Sequence, residues 1–233
     1  MRPRDFKDGM FEQLSRVGAA FSSPKRVEII DLLAQGPRSV ESIAEVTSMT
    51  VANTSRHLGI LRTAGLVASR RDGLYVVYRL ADPTVVTGYR ALRALAESRV
   101  AEVRQLAEAF FGPIDGAEPV GIEELLARAQ TGDVTVIDVR PRLEYEAGHL
   151  PGAISIPLEE LSERMSEIDG EREVVAYCRG PYCVLSAEAV AQLRRAGRVA
   201  RRLAAGPLEW GAHGLPVVIT SEVDPVASPA WSE

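Results

Sequence analysis

The 233-residue chain has only two cysteines, Cys178 and Cys183, and none in its first 177 residues. Two cysteines this close together cannot form the disulfide framework of a small secreted domain or staple distant parts of a fold. Histidine is scarce as well. His57, His149 and His213 stand far apart, so the sequence holds no local cluster of soft-metal ligands, and no metal or cofactor is expected. Nowhere do about 18 uncharged apolar residues run together, which argues against a spanning helix. The opening MRPRDFKDGM carries Asp5 and Asp8 and no apolar stretch of a signal peptide. A cytoplasmic protein with no membrane partner and with reactive thiols is the expectation. The 14 Pro and 19 Gly are ordinary numbers, and 46% hydrophobic against 25% charged residues fits neither a disordered nor a fibrous chain. At roughly 150 residues per domain, the length allows one large domain or two small ones.

Charge is divided unevenly. Residues 1–114 hold 16 Lys/Arg against 12 Asp/Glu, residues 115–233 hold 11 against 20, and the formal net charge is −5. Residues 47–80 contain Arg56, Arg62, Arg70, Arg71 and Arg79 with Asp72 as the one acid. A locally basic face of this kind suits a polyanion.

Apolar residues at Phe6, Met10, Phe11, Leu14, Val17 and Phe21 are spaced by threes and fours, which predicts an amphipathic helix over 6–21. A second helix follows, with Ser23 as N-cap, Pro24 at its first position and Gly36-Pro37 as its stop. Val40 to Val46 reads as a short helix with Ile43 and Val46 inward. Thr47 to Thr50 then connects it to a helix over Val51 to Ala64, with Val51, Leu58 and Leu61 inward. Two short helices joined so tightly make a helix-turn-helix unit. After Gly65 the period drops to two, and Asp72-Gly73 between Leu66–Arg71 and Leu74–Leu80 predicts a hairpin with positive φ at both central residues. A long helical stretch from Asp82 to Phe111 carries Val85, Tyr89, Leu92, Ala96, Val103, Leu106 and Phe110 along a seam interrupted at Arg99. Such a seam calls for a partner, most simply a second copy of the chain.

The run TVANTSRHLGILRTAGLVASRRDGLYVVYRL, Thr50 to Leu80, with the flanking helices, resembles the winged helix-turn-helix repressors of the ArsR/SmtB family over roughly residues 6–111. The resemblance implies a homodimer on double-stranded operator DNA. Thr50, Asn53, Thr54, Ser55 and Arg56 are expected on the exposed face of the recognition helix, where they meet base edges and phosphates. Arg70 and Arg71 on the wing are expected to reach the backbone or the minor groove, and His57 is expected to be packed or phosphate-adjacent rather than a ligand. Metal-sensing members place thiolates on the preceding helix, where this chain has Ser39-Val40-Glu41-Ser42-Ile43. The signal is therefore expected elsewhere.

Gly112 to Pro119, GPIDGAEP, reads as a linker. Beyond it, strands near 134–139, 153–156, 173–178 and 199–203 alternate with helices near 122–129, 158–168 and 184–196, which predicts an α/β domain with a largely parallel sheet. Val174 to Cys178 is a buried strand, and Arg179, Gly180, Pro181, Tyr182 and Cys183 form a short loop into the next helix. A thiol at a strand end facing a helix N-terminus is set up as a thiolate. Gly180 is expected to allow an unusual turn that aims amides at the sulfur, and Arg179 to attract an anionic donor.

Ile137-Asp138-Val139-Arg140, Glu144 to Ala153, the strand-end Cys178, and Glu209-Trp210 with Gly214-Leu215-Pro216-Val217 occur in the order found in rhodaneses, which this half resembles over roughly 118–219. The resemblance implies that Cys178 attacks a sulfane sulfur donor such as thiosulfate or polysulfide and carries the sulfur as a persulfide. Asp138, Arg140, Glu144 and His149 are read as scaffold, Trp210 as core and His213 as surface. Cys183 has two readings. It can resolve a modified Cys178 as a disulfide, or the loop can hold the two Cα atoms beyond about 7 Å and forbid the bridge. Ala204-Ala205-Gly206 departs from the glycine pair common in rhodaneses.

The expected architecture is thus a mainly α winged helix-turn-helix domain over 1–113, an α/β rhodanese-like domain over 114–220 and a mobile tail over 221–233. The expected function is a homodimeric repressor that senses or carries sulfane sulfur through Cys178. The alternative is a constitutive sulfurtransferase that uses the winged helix for dimerisation or targeting.

Overall fold

A computed structural model describes residues 1–115 and 119–220. The tail from 221 and part of the expected linker lie outside the described residues. The chain divides into two compact units, one over Met1–Leu95 and a second beginning at Ala96.

In the first unit, α1 (Pro3–Phe21) and α2 (Pro24–Leu33) both begin on a proline, whose fixed φ suits the first helical turn. Ser23 occupies the N-cap of α2 without a side-chain cap bond. Strand β1 (Arg38–Ser39) leads into α3 (Val40–Val46), where the Ser39 hydroxyl accepts from the Ser42 amide. A turn through Ser48, at φ 52°, leads to α4 (Val51–Thr63), capped by the Thr50 hydroxyl. Strands β2 (Val67–Asp72) and β3 (Tyr75–Leu80) form the wing, and α5 (Pro83–Arg99) follows. The order β1-β3-β2 makes a three-stranded antiparallel sheet. Its first strand is two residues long, too short to show a period in sequence.

Several expectations in this unit change. The hairpin turn is Gly73-Leu74, since Asp72 pairs with Tyr75 as the last rung of the ladder. Gly73 alone has positive φ there, the pattern in which glycine takes the first central position of a two-residue loop. Val46 and Val51 are exposed. The inner face of α4 is completed by Thr54 and His57 beside Leu58 and Leu61, while its first turn projects into solvent. The core gathers Ile29, Ile30, Leu33, Ile43, Leu58, Leu61, Val67 and Tyr78. Val85 and Tyr89 belong to it too, and the Tyr89 hydroxyl donates to Asp31 at 2.9 Å.

The expected long helix is broken at Val100, so that α6 (Ala101–Asp115) is separate. The second unit continues with α7 (Ile122–Thr131), β4 (Val134–Asp138), α8 (Arg142–Ala147) and β5 (Ile154–Ser155). The expected helix over 158–168 is three short pieces: 3₁₀ turns at Leu158–Glu160 and Met165–Glu167 flank α9 (Leu161–Arg164). Then come β6 (Glu173–Tyr177), α10 (Val184–Arg195), β7 (Ala200–Arg202) and α11 (Pro207–Ala212). The sheet is parallel throughout in the order β5-β4-β6-β7, with apolar clusters that include Ile137, Val174, Ala176 and Leu193 in one and Leu125, Val175, Tyr177 and Trp210 in the other. Because β4 and β6 are flanked on both sides, their residues read as near-continuous apolar runs. Helix α6 packs on α10. No helix among the described residues is long and apolar enough to cross a membrane.

Candidate functional site

The central strand β6 delivers Cys178 to its carboxyl end, and Cys183 stands at the N-cap of α10. The two sulfurs are bonded, with Cα atoms 6.0 Å apart, inside the range a disulfide accepts. Of the two readings of Cys183, the geometry allows the bridging one. Cys178 is buried and packs with the core cluster that holds Ile137 and Ala176, and Cys183 borders the same cluster. The bridge closes a ring containing Arg179, Gly180, Pro181 and Tyr182, and the Cys183 amide donates to the Gly180 carbonyl at 3.2 Å.

Neighbouring groups hold this ring from several directions. Arg179 is not turned to attract an anionic donor. Its guanidinium grips the buried Glu144 carboxylate of α8 through Nε (3.0 and 3.1 Å) and Nη2 (2.7 Å), so its charge is paired. Pro181 offers its carbonyl to Nη1 of buried Arg202 at 3.0 Å, and the Arg202 guanidinium lies 4.1 Å from the Phe111 ring centroid. Exposed Tyr182 donates its hydroxyl to Glu97 in the last turn of α5 at 2.9 Å. Gly180 does not adopt positive φ; the glycine that the loop requires is Gly206. A Cβ there would come within 2.6 Å of the Cys178 carbonyl oxygen and 2.3 Å of that of Arg179. Sequence reasoning missed Gly206, Arg202 and Glu97 as supports. The one visible signal was the Ala204-Ala205-Gly206 departure.

The residues read as scaffold are buried as one. Arg140 pairs with Asp138 at 2.6 Å and donates to the Gly148 carbonyl at 2.7 Å. The Tyr177 hydroxyl accepts from the Leu150 amide, and burial together with the neighbouring Asp138 carboxylate pushes its phenol up. His149 stacks on Tyr145. Trp210 is buried with its indole N–H on the Pro216 carbonyl, and His213 is exposed.

On the other unit, α4 exposes Thr50, Ser55 and Arg56 and leaves Asn53 half-buried, with Arg56 Nη2 donating to Asn53 Oδ1 at 3.0 Å. Thr54 departs from the expectation. It is fully buried and donates its hydroxyl to the Thr50 carbonyl, which removes it from the exposed face. Arg70 and Arg71, neighbours on β2, project to opposite faces of the wing; Arg71 is exposed and Arg70 half-buried, 3.6 Å from Asp72. His57 is packed, and burial, with Arg56 and Arg26 nearby, lowers its pKa.

Residues 23–69 match the family described as bacterial regulatory protein, arsR family, and residues 121–213 match the rhodanese-like domain. The chain is 44% identical over 213 residues to the HTH-type transcriptional regulator Rv0324 of Mycobacterium tuberculosis, covering 91% of this chain and 93% of that protein. A sulfurtransferase of Allochromatium vinosum is 39% identical over 90 residues, covering 39% of this chain and 83% of that one. Among solved structures, the homodimeric winged helix-turn-helix DNA-binding domain Mb0332 from Mycobacterium bovis is 36% identical, at a TM-score of 0.40, with 43% of this chain and 91% of that one covered. The two folds, in this order, define a winged helix-turn-helix protein joined to a rhodanese-like domain. The chain belongs to the arsR family of helix-turn-helix transcriptional regulators, with a rhodanese-like domain at its carboxyl side.

Proposed function

We infer that this regulator is a homodimeric repressor of operator DNA whose affinity is set by sulfur chemistry at Cys178. The observation that carries the reading is the pair Cys178 and Cys183, 6.0 Å apart between Cα atoms, closing the ring at the end of β6. Support for the sulfur half also comes from the Allochromatium protein, which is named a sulfurtransferase. Support for the dimer comes from α1, where Phe6, Met10, Phe11, Leu14 and Val17 form an exposed apolar stripe, with Leu92 and Leu95 exposed on α5. The helix seam expected from Val85 is used differently, because Val85 and Tyr89 lie in the unit's own core.

In the chemical sequence, the reduced Cys178 thiolate attacks the outer sulfur of polysulfide or thiosulfate. The donor leaves one sulfur shorter, as a shorter polysulfide or as sulfite, and Cys178 becomes a persulfide. Cys183, as thiolate, then attacks the Cys178 sulfur. The bond to the outer sulfur breaks, hydrosulfide leaves, and the bridge between Cys178 and Cys183 forms. Two protein thiols are oxidised and one sulfane sulfur is reduced to sulfide; an external thiol reopens the ring.

The ring is hydrogen-bonded through Tyr182 to the last turn of α5, so opening and closing it acts on that helix end. The test is a titration of operator DNA with wild type and Cys178→Ser, reduced and polysulfide-treated, at fixed salt. Treated and reduced wild type should differ by roughly 5- to 150-fold, with Cys178→Ser unresponsive. Equal affinities for treated and reduced wild type would sink the reading.

A further inference from the structure

A cleft of about 640 Å³ opens in the first unit between the end of α1, the start of α2 and the flank of α4. Its floor is apolar, from Ala19, Ala20, Gly59, Ile60 and Ala64, and its rim carries Arg16, Arg26, Arg56 and Arg62, with no carboxylate among the described residues of the lining. Three of these guanidiniums are fixed by neutral partners. Arg16 donates to the Thr63 carbonyl at 2.8 Å, Arg26 to the Ala19 and Ala20 carbonyls at 2.8 and 2.6 Å, and Arg56 to Asn53 Oδ1 at 3.0 Å. These bonds orient the cations without cancelling their charge, so the rim is preorganised for an anion.

Gly59 is the second, independent observation. A glycine inside a helix is less stable than alanine, and among the described residues nothing lies within 4 Å of where its Cβ would stand. Packing within the unit does not demand glycine there; its effect is to leave the floor of the cleft open. The lowered pKa of nearby His57, to which Arg56 and Arg26 contribute, agrees with a positive potential at this place.

We propose that this cleft binds a small amphipathic anion, with its carboxylate, sulfonate or phosphate head on the arginines and its apolar body over Gly59 and Ile60. The volume falls within the roughly 300–1,000 Å³ of small-molecule sites. An occupant engages Arg56, so it competes with DNA for that side chain. The competition rests on the DNA reading above, whereas the binding itself does not.

The probe is 8-anilinonaphthalene-1-sulfonate, titrated by fluorescence into the full chain without DNA, with uncharged N-phenyl-1-naphthylamine as control. Saturable binding is expected, at least about tenfold weaker for the uncharged analogue. Gly59→Leu fills the floor and should weaken the sulfonate at least about tenfold, with Gly59→Ala within about threefold of wild type. Should Gly59→Leu fail to fold, the double variant Arg56→Gln with Arg62→Gln gives the same reading from the rim. Sulfonate affinity unchanged by the folded floor variant or by the rim pair, or equal affinity for the uncharged analogue, would overturn the site. A separate titration on DNA should show the sulfonate displacing wild type but not Gly59→Leu; if binding holds and displacement fails, only the link to DNA is lost.

Discussion

Glu144 has both oxygens on Arg179 and almost no solvent contact, so neither partner is easily removed alone. Replacing Glu144 with Gln leaves a part-buried guanidinium short of its counter-charge, and a loss of about 1–3 kcal/mol is expected from chemical unfolding. The same change should loosen the ring between Cys178 and Cys183, read as faster disulfide reduction by a dithiol. Gly206→Ala acts on the ring from the other side: its methyl group would overlap the Cys178 and Arg179 backbone, and a loss of at least about 2 kcal/mol is expected by the same measurement. His57 gives a pH signature. Burial, aided by Arg56 and Arg26, lowers its folded pKa below the ordinary histidine value of about 6.5. Between those two values the unfolded chain holds more proton at this site, so stability falls as pH drops below about 6.5. A denaturation series over that window should show the loss in wild type and less of it in His57→Leu.

At the scale of elements, the wing decides how basic residues are shared out. Strand alternation sends Arg70 and Arg71 to opposite faces, and of the two only Arg71 is exposed. Arg71→Ala should therefore weaken DNA binding across sequences and reduce the salt slope by about one, while Arg70→Ala changes it less. A slope that falls equally for both would contradict the placement. The α4 helix and the central strands β4 and β6 were legible because their patterns run over five or more residues, and α4 is followed by Gly65 at positive φ. Strand β1 and helices α8 and α11 were not: two to six residues carry too little periodicity. Thr54 was misplaced for a related reason. Its hydroxyl is satisfied within its own helix by the Thr50 carbonyl, so a residue polar by type is buried at no hydrogen-bonding cost. Cys178 was legible from its strand-end position, but the pairing of Arg179 with Glu144 joins residues 35 apart in the chain and had no local trace.

For the whole molecule, the proposed switch needs a path from the thiol ring to the DNA-reading helices, and helix α5 runs from the first unit into the second. Val85 and Tyr89 fix its first half in the core with Ile29 and Leu58, and Glu97 near its end accepts from Tyr182 of the ring. A change in ring state that moves Tyr182 therefore acts on the last turn of the helix whose first half lies in the winged-helix core. Linkage makes this reciprocal: if sulfur loading shifts DNA affinity by a given factor, operator DNA must shift the sulfur-loading equilibrium of Cys178 by the same factor. In Tyr182→Phe the ring keeps both cysteines and loses only the hydroxyl that reaches Glu97. Polysulfide should still close the ring in this variant, as the loss of two hydrogens in intact mass would record, while the difference in DNA affinity between treated and reduced protein shrinks. A full-sized difference in Tyr182→Phe would exclude this bond as the route.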